Sequence, residues 1–291
     1  MTTSNQPHSY GAMSRTELEA LEITLVQKYD EIAAAKLALD LTRGKPSSEQ
    51  LNLSNELDGI LKGQYILQDG TDVRNYGGLL GIPEARALGA SILETNADEI
   101  LVGGNASLTL MHQYLAFMQP IWKQECPEGV KFICPVPGYD RHFTLCEHFN
   151  IEMIPVSFNG QDPDLDQIER LVQQDPSIKG IWCVPKYSNP TGTTYSETAV
   201  KRFSMLPKIS GDNFRIMWDN AYAAHNFAGE LAQIDNIFDV AAQAGHPDRP
   251  LLFASTSKVT LSGAGIAVVA SSTANMADIL HHTSMATIGH D

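Results

Sequence analysis

The sequence has few cysteines, and none of them follows a metal-binding or redox pattern. Four cysteines occur in 291 residues, and no pair has the two-residue spacing typical of zinc sites and thiol oxidoreductases. Cys134 and Cys183 lie inside apolar runs, which indicates buried thiols. The pattern is typical of a protein kept in a reducing compartment, and it predicts no metal site.

The sequence also lacks an excess of positive charge and a long apolar run. Lys and Arg total 20 against 34 Asp and Glu, which gives a formal net charge of −14. This balance disfavours binding to nucleic acid or to an acidic membrane surface. No stretch is long and apolar enough to span a membrane, and residues 1–14 lack the apolar core of a signal peptide. We therefore expect a cytoplasmic protein with no nucleic-acid and no membrane partner.

Apolar residues make up 43% of the chain, and beyond residue 98 they fall into short runs separated by helical stretches. The short runs predict seven strands, at residues 99–102, 131–135, 152–156, 180–184, 215–218, 251–254 and 265–270. The intervening stretches predict helices, among them residues 107–118, 141–149, 165–173 and 198–206. This alternation predicts an α/β fold, with a mostly parallel seven-stranded sheet and helices on both faces.

Two further helices are predicted from the residues that begin them. Ser14 and Glu17 have the spacing of a capping box, in which each side chain satisfies a backbone N–H of the other residue. Pro83 stands where proline is favoured, in the first turn of a helix. The polar residues 1–13 that precede the first of these helices are predicted to be disordered or to form an arm.

Four motifs follow predicted strands, at the strand ends where α/β sheets bind ligands. They are Gly103-Gly104-Asn105-Ala106-Ser107, Asn189-Pro190-Thr191-Gly192, Asp219-Asn220-Ala221-Tyr222 and Ser255-Thr256-Ser257-Lys258. The first suits a phosphate, because backbone amides at a helix start favour an anion. Asp219 could pair with a protonated ring nitrogen or cap the next helix. Lys258 could be a Schiff-base nucleophile or a surface lysine, and the glycine-rich and Asn-Pro motifs could be simple turns.

In this order and at these positions, the four motifs resemble those of the fold-type I pyridoxal-phosphate (PLP) enzymes, specifically the class I/II aminotransferases. The segments TRGKP, YGGLLGIPEAR and STSKVTLSGAG are most similar to the bacterial type Ic aspartate aminotransferase subgroup. The resemblance covers residues 39–270. It implies a PLP-binding large domain at residues 56–291, and an N-terminal arm with part of a small domain at residues 1–55. It also implies that the C-terminal small domain is missing from this chain, together with the arginine that grips the substrate α-carboxylate.

The resemblance implies a role for individual residues. Lys258 would form a Schiff base with PLP and then act as base and acid, Asp219 would keep the pyridine nitrogen protonated, and Tyr222 would hydrogen-bond the ring oxygen. The other residues implied in PLP binding are Ala106, Ser107, Tyr139, Asn189, Ser255, Ser257 and, reaching the phosphate of a partner subunit, Tyr76. Gly44 and Asn189 would contact the substrate, and Arg43 or Lys45 could select an acidic side chain. The role of Tyr76 implies a homodimer with a shared active site.

The implied activity is transfer of an amino group between an amino acid and a 2-oxo acid by a ping-pong Schiff-base mechanism. Aspartate or glutamate with 2-oxoglutarate is the leading substrate pair, and alanine with glyoxylate is the second. A C–S lyase or a decarboxylase with the same cofactor, and a non-catalytic PLP-binding regulatory module, are the alternative functions. The chain departs from most of the family at Gly263-Ala264-Gly265-Ile266, where no arginine is available for the phosphate.

Overall fold

The computed structural model of the chain describes residues 10–38, 44–226 and 233–290. It divides into two compact units, Met1–Lys45 and Pro46–Asp291. In the first unit, Ser14 Oγ accepts the N–H of Glu17 at 3.3 Å, and the Glu17 carboxylate accepts the N–H of Ser14 at 2.7 Å. This reciprocal pair confirms the predicted helix start. Arg43 lies outside the described residues, and the assignment of residues 1–55 to an arm and part of a small domain stays a prediction.

The part of the chain described above contains nine α-helices. They are α1 (Arg15–Ala34), α2 (Ser48–Asn52), α3 (Pro83–Leu93), α4 (Ser107–Glu125), α5 (Asp140–His148), α6 (Leu165–Gln174), α7 (Glu197–Met205), α8 (Ile237–Gln243) and α9 (Thr273–Thr283). Every helix predicted from the sequence is among them. None of the described helices combines the length and the apolar character that a membrane span requires.

Within residues 10–38, 44–226 and 233–290, eight strands form a single sheet in the order β1-β8-β7-β6-β5-β2-β3-β4. They are β1 (Ile100–Val102), β2 (Val130–Val136), β3 (Ile151–Asn159), β4 (Asp162–Pro163), β5 (Ile178–Cys183), β6 (Arg215–Asp219), β7 (Pro250–Ser255) and β8 (Ala267–Ala270). All seven predicted strands are present, and the mostly parallel α/β sheet is confirmed. The additional strand, β4, has two residues and is too short to show a period in the sequence.

The direction of the strands determines where the loops of the sheet meet. Five strands are parallel to one another, namely β2, β3, β5, β6 and β7. β8 is antiparallel to both β7 and β1, so β1 runs in the same direction as β7. Six strands therefore have their carboxyl ends at one edge of the sheet. All four sequence motifs follow strands of this set, and they leave the sheet at that edge.

Two hydrophobic cores lie on opposite faces of the sheet. Along β7, Leu252 and Ala254 pack into one core with residues of α3, α6, α7 and α8. Leu251 and Phe253 pack into the other core with residues of α4, α5 and α9. Successive strand residues point to opposite faces, and burial on both faces explains why these strands are continuous apolar runs in the sequence. The predicted helices on both faces are confirmed.

Candidate active site

The last residue of β6 and the turn after β7 leave the sheet side by side. Asp219 ends β6 and is paired with Phe253 of β7. The N–H of the next residue, Asn220, donates to the carbonyl oxygen of Phe253 at 2.8 Å. Ser255 ends β7, and Lys258 follows it by three residues. The fold thus places the Asp219 and Lys258 motifs at the ends of neighbouring parallel strands.

The Asp219 carboxylate is buried, and one of its two oxygens accepts a hydrogen bond. The residue is 4% exposed, and its Oδ2 accepts from His142 Nε2 at 2.9 Å. Its Oδ1 is buried and has no hydrogen-bond partner among the described residues. A buried acceptor without a partner costs about 1–3 kcal/mol, and such atoms are rare in folded proteins. This oxygen is therefore in place to receive a further donor.

His142 is held by aromatic contacts on two sides. Its ring stacks on Trp182, with ring centres 4.2 Å apart and planes 6° apart. Tyr139 meets it nearly at a right angle, with ring centres 5.1 Å apart. Trp182 in turn donates from Nε1 to Cys146 Sγ at 3.3 Å. These contacts fix the imidazole so that it orients the Asp219 carboxylate.

His142 lies outside the four motifs that the sequence showed. The available signal was its position three residues beyond Tyr139, because residues with that spacing share one face of a helix. Tyr139 immediately precedes α5, and His142 lies in the first turn of that helix. A polar side chain on the same helix face as Tyr139, a residue implied in PLP binding, is therefore a candidate to reach the same site.

Tyr139 and Tyr222 are partly buried phenols near the Asp219 charge. The pKa of each phenol is raised, first by burial and next by the negative charge of Asp219. Both causes favour the neutral form of the phenol. At neutral pH the two side chains therefore keep their protons and can donate hydrogen bonds.

The predicted phosphate-binding segments form one group of joined loops. Ser107 begins α4, and the residue before it, Ala106, provides no side-chain cap for the first-turn N–H groups. Ser257 Oγ donates to the carbonyl oxygen of Asn105 at 2.9 Å, and Asn105 Nδ2 donates to that of Ser262 at 3.2 Å. The structure therefore brings the loop before α4 together with the turn that carries Lys258. Uncapped N–H groups at the start of a helix favour an anion.

The turn between β7 and β8 is closely packed at Gly265 and Ile266, in the segment beyond Lys258 that has no arginine. Thr256 Oγ1 accepts the N–H of Ile266 at 3.0 Å, and the side chain of Ile266 packs against a hydrophobic core. A Cβ atom added to Gly265 would lie 2.4 Å from that same hydroxyl oxygen. At Gly265 the turn thus has no room for a side chain. At Ile266 the side chain is apolar and packs inward.

Lys258 is exposed, and its backbone is linked to the turn after β6. His225 Nε2 lies 3.1 Å from the carbonyl oxygen of Lys258. The His225 ring also contacts Tyr222 edge to face, with ring centres 5.5 Å apart. The predicted Tyr222 and Lys258 are therefore parts of one connected set of turns.

A second lysine, Lys186, lies close to these turns and was given no role from the sequence. It is 5% exposed, and its Nζ donates to the carbonyl oxygen of Ala223 at 2.9 Å. Burial lowers the pKa of its ammonium group. The contact joins the loop that carries Asn189 to the turn that carries Tyr222.

Three predicted residues, Asn189, Tyr76 and Gly44, are exposed. Asn189 is exposed in a turn closed by a hydrogen bond from the Ser188 N–H to the Thr193 carbonyl oxygen at 2.7 Å. Tyr76 is 81% exposed in the loop before α3. Gly44 is exposed and belongs to the first compact unit. The substrate and cofactor roles of these residues stay predictions.

Comparison with known proteins gives matches over nearly the whole chain. A family model described as aspartate amino-transferase matches residues 13–291. An aspartate aminotransferase of Corynebacterium glutamicum is 42% identical over 298 residues, which cover 96% of this chain and 68% of that protein. A crystal structure of an aspartate transaminase from the same organism has a TM-score of 0.86 at 40% identity, covering 96% of this chain and 67% of the other.

A more distant solved structure has a similar fold. It is the α-aminoadipate aminotransferase of Thermus thermophilus, solved in complex with N-(5′-phosphopyridoxyl)-L-leucine. Its TM-score is 0.67 at 20% identity, and the match covers 85% of this chain and 59% of that chain. The likeness extends to the arrangement of the sheet and helices described above.

Proposed function

The chain belongs to the aspartate aminotransferase family and is an aminotransferase, and we propose that it exchanges an amino group between an acidic amino acid and a 2-oxo acid using bound PLP. The name of the 42% identical relative supports an acidic substrate. The phosphopyridoxyl group in the more distant aminotransferase supports the cofactor. The residues at the carboxyl edge of the sheet are those that would hold it.

The observation that carries the proposal is the unpaired oxygen of Asp219. Its Oδ2 is anchored by His142, while its buried Oδ1 has no partner in the part of the chain that the structure describes. A protonated pyridine nitrogen is a donor that such a carboxylate would stabilise, because opposite charges attract strongly where water is excluded. The donor set therefore fits the ring of PLP, and the N–H groups at the start of α4 fit its phosphate.

Each residue of the site has a distinct task in this proposal. When bound, PLP supplies a sink for the electrons released at the substrate Cα. Asp219 would hold a proton on the ring nitrogen, and Tyr222 would donate its phenolic proton to the ring oxygen. Lys258 would bind the cofactor through Nζ and, once released, would take the proton from the substrate Cα. Ser107, Ser255 and Ser257 would contact the phosphate together with the amide of Ala106.

We also propose that two subunits share each site. Tyr76 presents 81% of its surface to solvent, in a loop that makes its phenol available to a second copy of the chain. Asn189 and Tyr139 would complete the surroundings of the ring, and Gly44 would close over the substrate. These assignments follow from the family resemblance and from the exposure or position of each residue.

Reductive labelling tests the cofactor site directly. The purified chain is mixed with PLP, its visible absorption is recorded, and the complex is reduced with borohydride before peptide mapping. We expect a visible absorption band and a label on Lys258. The variant Lys258→Arg, which keeps the charge, should show neither. A label on the buried Lys186, or on several lysines, would contradict the assignment of Lys258.

Product analysis tests the reaction. With PLP, aspartate and 2-oxoglutarate, the chain should form oxaloacetate and glutamate in equal amounts. Transfer from alanine to glyoxylate in preference to this pair would overturn the proposed acidic substrate while retaining the aminotransferase activity. With cysteine in place of aspartate, release of sulfide, ammonia and pyruvate without a new amino acid would indicate a C–S lyase instead.

A further inference from the structure

Two histidines on neighbouring helices face each other at the protein surface. His112 lies in the second turn of α4, and His148 is the last residue of α5. Their Nε2 atoms are 3.3 Å apart, their ring centres are 5.2 Å apart, and their planes differ by 37°. Both residues are exposed, so an ion from solvent has access to them.

The geometry of this pair matches two imidazoles that share one metal ion. Nitrogens bound at about 2.0–2.1 Å to a tetrahedral ion lie about 3.3 Å apart, with ring centres roughly 5.2 Å apart. A straight N–H···N hydrogen bond with the same nitrogen separation would place the ring centres roughly 5.6 Å apart. The observed separation of 5.2 Å agrees with nitrogen lone pairs that converge on a point beside the line joining the two nitrogens.

The two rings are held in this arrangement by their neighbours. Phe149 contacts both, with ring centres 5.0 Å from His112 and 4.8 Å from His148. The carbonyl oxygen of Phe149 accepts a hydrogen bond from Gln119 Nε2 of α4 at 3.2 Å. This bond ties the end of α5 to α4. A preformed pair of ligands loses little freedom when it binds an ion, and this favours binding.

We propose that His112 and His148 form a binding site for one Zn²⁺ ion. Imidazole nitrogen is a preferred ligand of zinc, and the tetrahedral separation of the two nitrogens suits that ion. Within the described residues no group of three or more His, Cys, Asp or Glu side chains could hold a metal. The protein therefore supplies two ligands, and water or an external donor completes the coordination.

The ion would connect the two helices that begin at the candidate active site. Ser107 starts α4, and Tyr139 precedes the first turn of α5, which contains His142. An ion bound by His112 and His148 would hold the two helices together about one and a half turns beyond Ser107 and His142. This effect on the site rests on the proposed function, whereas the binding of zinc depends only on the histidine pair.

Calorimetric titration of the untagged full chain with ZnCl₂ tests the proposal. We expect one ion per wild-type chain, and an affinity reduced at least about ten-fold in His112→Ala and in His148→Ala. Loss of an outer partner of a metal ligand already costs 10–100-fold, and loss of a ligand costs at least as much. His281→Ala is the matched control, because it removes another exposed histidine of a surface helix. It should bind zinc as the wild type does.

Two further measurements, of folding and of thermal stability, distinguish loss of the zinc site from loss of the folded structure. Circular dichroism should show that all three variants are folded, because the substituted side chains are exposed. Zn²⁺ should raise the thermal unfolding midpoint of the wild type and of His281→Ala, and it should not raise that of either pair variant. Equal zinc affinity in the wild type and the pair variants, or no binding by the wild type, would overturn the proposal. Because the readout is binding, failure of the proposed aminotransferase reaction would not affect this test.

Discussion

Asp219 and His142 are 77 residues apart in the sequence, yet their side chains share a hydrogen bond of 2.9 Å. The fold brings them together because Asp219 ends β6 and His142 follows β2, both at the carboxyl edge of the sheet. The negative charge of Asp219 also raises the pKa of Tyr139 and Tyr222. One carboxylate thus influences three aromatic side chains, and its replacement has more than one measurable consequence.

We predict that Asp219→Asn lowers the pKa of Tyr139 and Tyr222, because their raised values depend in part on the charge that this change removes. Amino transfer should fall by about 10²-fold or more, as is typical when one preorganised electrostatic partner is lost. The phenol change is measured from phenolate absorbance during an alkaline titration of the chain without cofactor. Steady-state kinetics with PLP measure the loss of transfer.

Asp140→Asn is the matched control for this experiment. The Asp140 side chain is 76% exposed, and its charge contributes less to the raised pKa of Tyr139 than that of Asp219. It should leave amino transfer close to the wild-type rate. Wild-type transfer by Asp219→Asn would contradict the role proposed for this carboxylate.

At the scale of elements, the turn between β7 and β8 is the part of the site whose packing is tightest. It carries Lys258, and Thr256 caps the N–H of Ile266 at 3.0 Å within it. Gly265 approaches the same hydroxyl so closely that a Cβ atom would lie 2.4 Å away. The identity of one glycine therefore controls the shape of the turn that positions the lysine.

We predict that Gly265→Ala destabilises the protein by about 1–3 kcal/mol, because the added methyl group overpacks the turn. It should also weaken PLP binding, since Thr256, two residues before Lys258, must move to accept the methyl group. Urea denaturation measures the first effect, and titration of the visible absorption band measures the second.

Gly263→Ala is the control, because it adds the same methyl group to the same turn where no atom lies within 4 Å. Its free energy of unfolding should change by less than about 1 kcal/mol. Equal effects of the two substitutions would show that close packing at Gly265 is not the cause.

The elements of the fold could be predicted where the sequence pattern is local. The capping box at Ser14 and the apolar run that became β7 both involve residues close together in the chain. Of the elements not predicted from the sequence, three are short and one is not: β4 has two residues, α2 has five and α8 has seven, whereas α9 has 11. Fewer than about two turns of helix give no clear period in the sequence.

The candidate site could be predicted only in part, for a related reason. Asp219, Tyr222 and Lys258 lie in motifs that follow strands, so their common position was predictable from the alternation of strands and helices. The His142 pairing, the Trp182 stack and the Lys186 contact depend on packing between distant segments. No pattern within one segment encodes such contacts.

At the scale of the whole molecule, burial of ionisable groups determines how stability depends on pH. The pKa of Cys183 and of Tyr195 is raised by burial, well above the ordinary value in each case. Burial also raises the pKa of Tyr114. In the unfolded chain these groups lose their protons at lower pH, near about 8.5 for cysteine and about 10 for tyrosine. The unfolded state is then favoured as the pH rises, so stability is retained below those values and lost above them.

We predict that the free energy of unfolding falls between pH 8 and pH 10.5, with Cys183 contributing up to about 1.4 kcal/mol per pH unit once its unfolded form ionises. Denaturant unfolding at several pH values measures this slope. Cys183→Ala should make the slope shallower, because the group that ionises is removed.

Cys126→Ala is the control, because that thiol is not fully buried. Its slope should match that of the wild type. An unchanged slope in Cys183→Ala would show that the buried thiol does not cause the alkaline loss of stability.

Both outer strands of the sheet are short and protected, and this limits how copies of the protein can associate. Pro163 of β4 has no N–H to offer, and the Asp162 carboxylate accepts from Ser196 N and Oγ at 2.8 and 2.6 Å. At the opposite edge, the N–H of Val102 donates to the carbonyl oxygen of Leu80 at 2.9 Å. Unprotected edges recruit strands from other chains and promote fibrous aggregates. β1 and β4 therefore resist strand addition, which leaves the side-chain surfaces of the helices and loops as a route to ordered assembly.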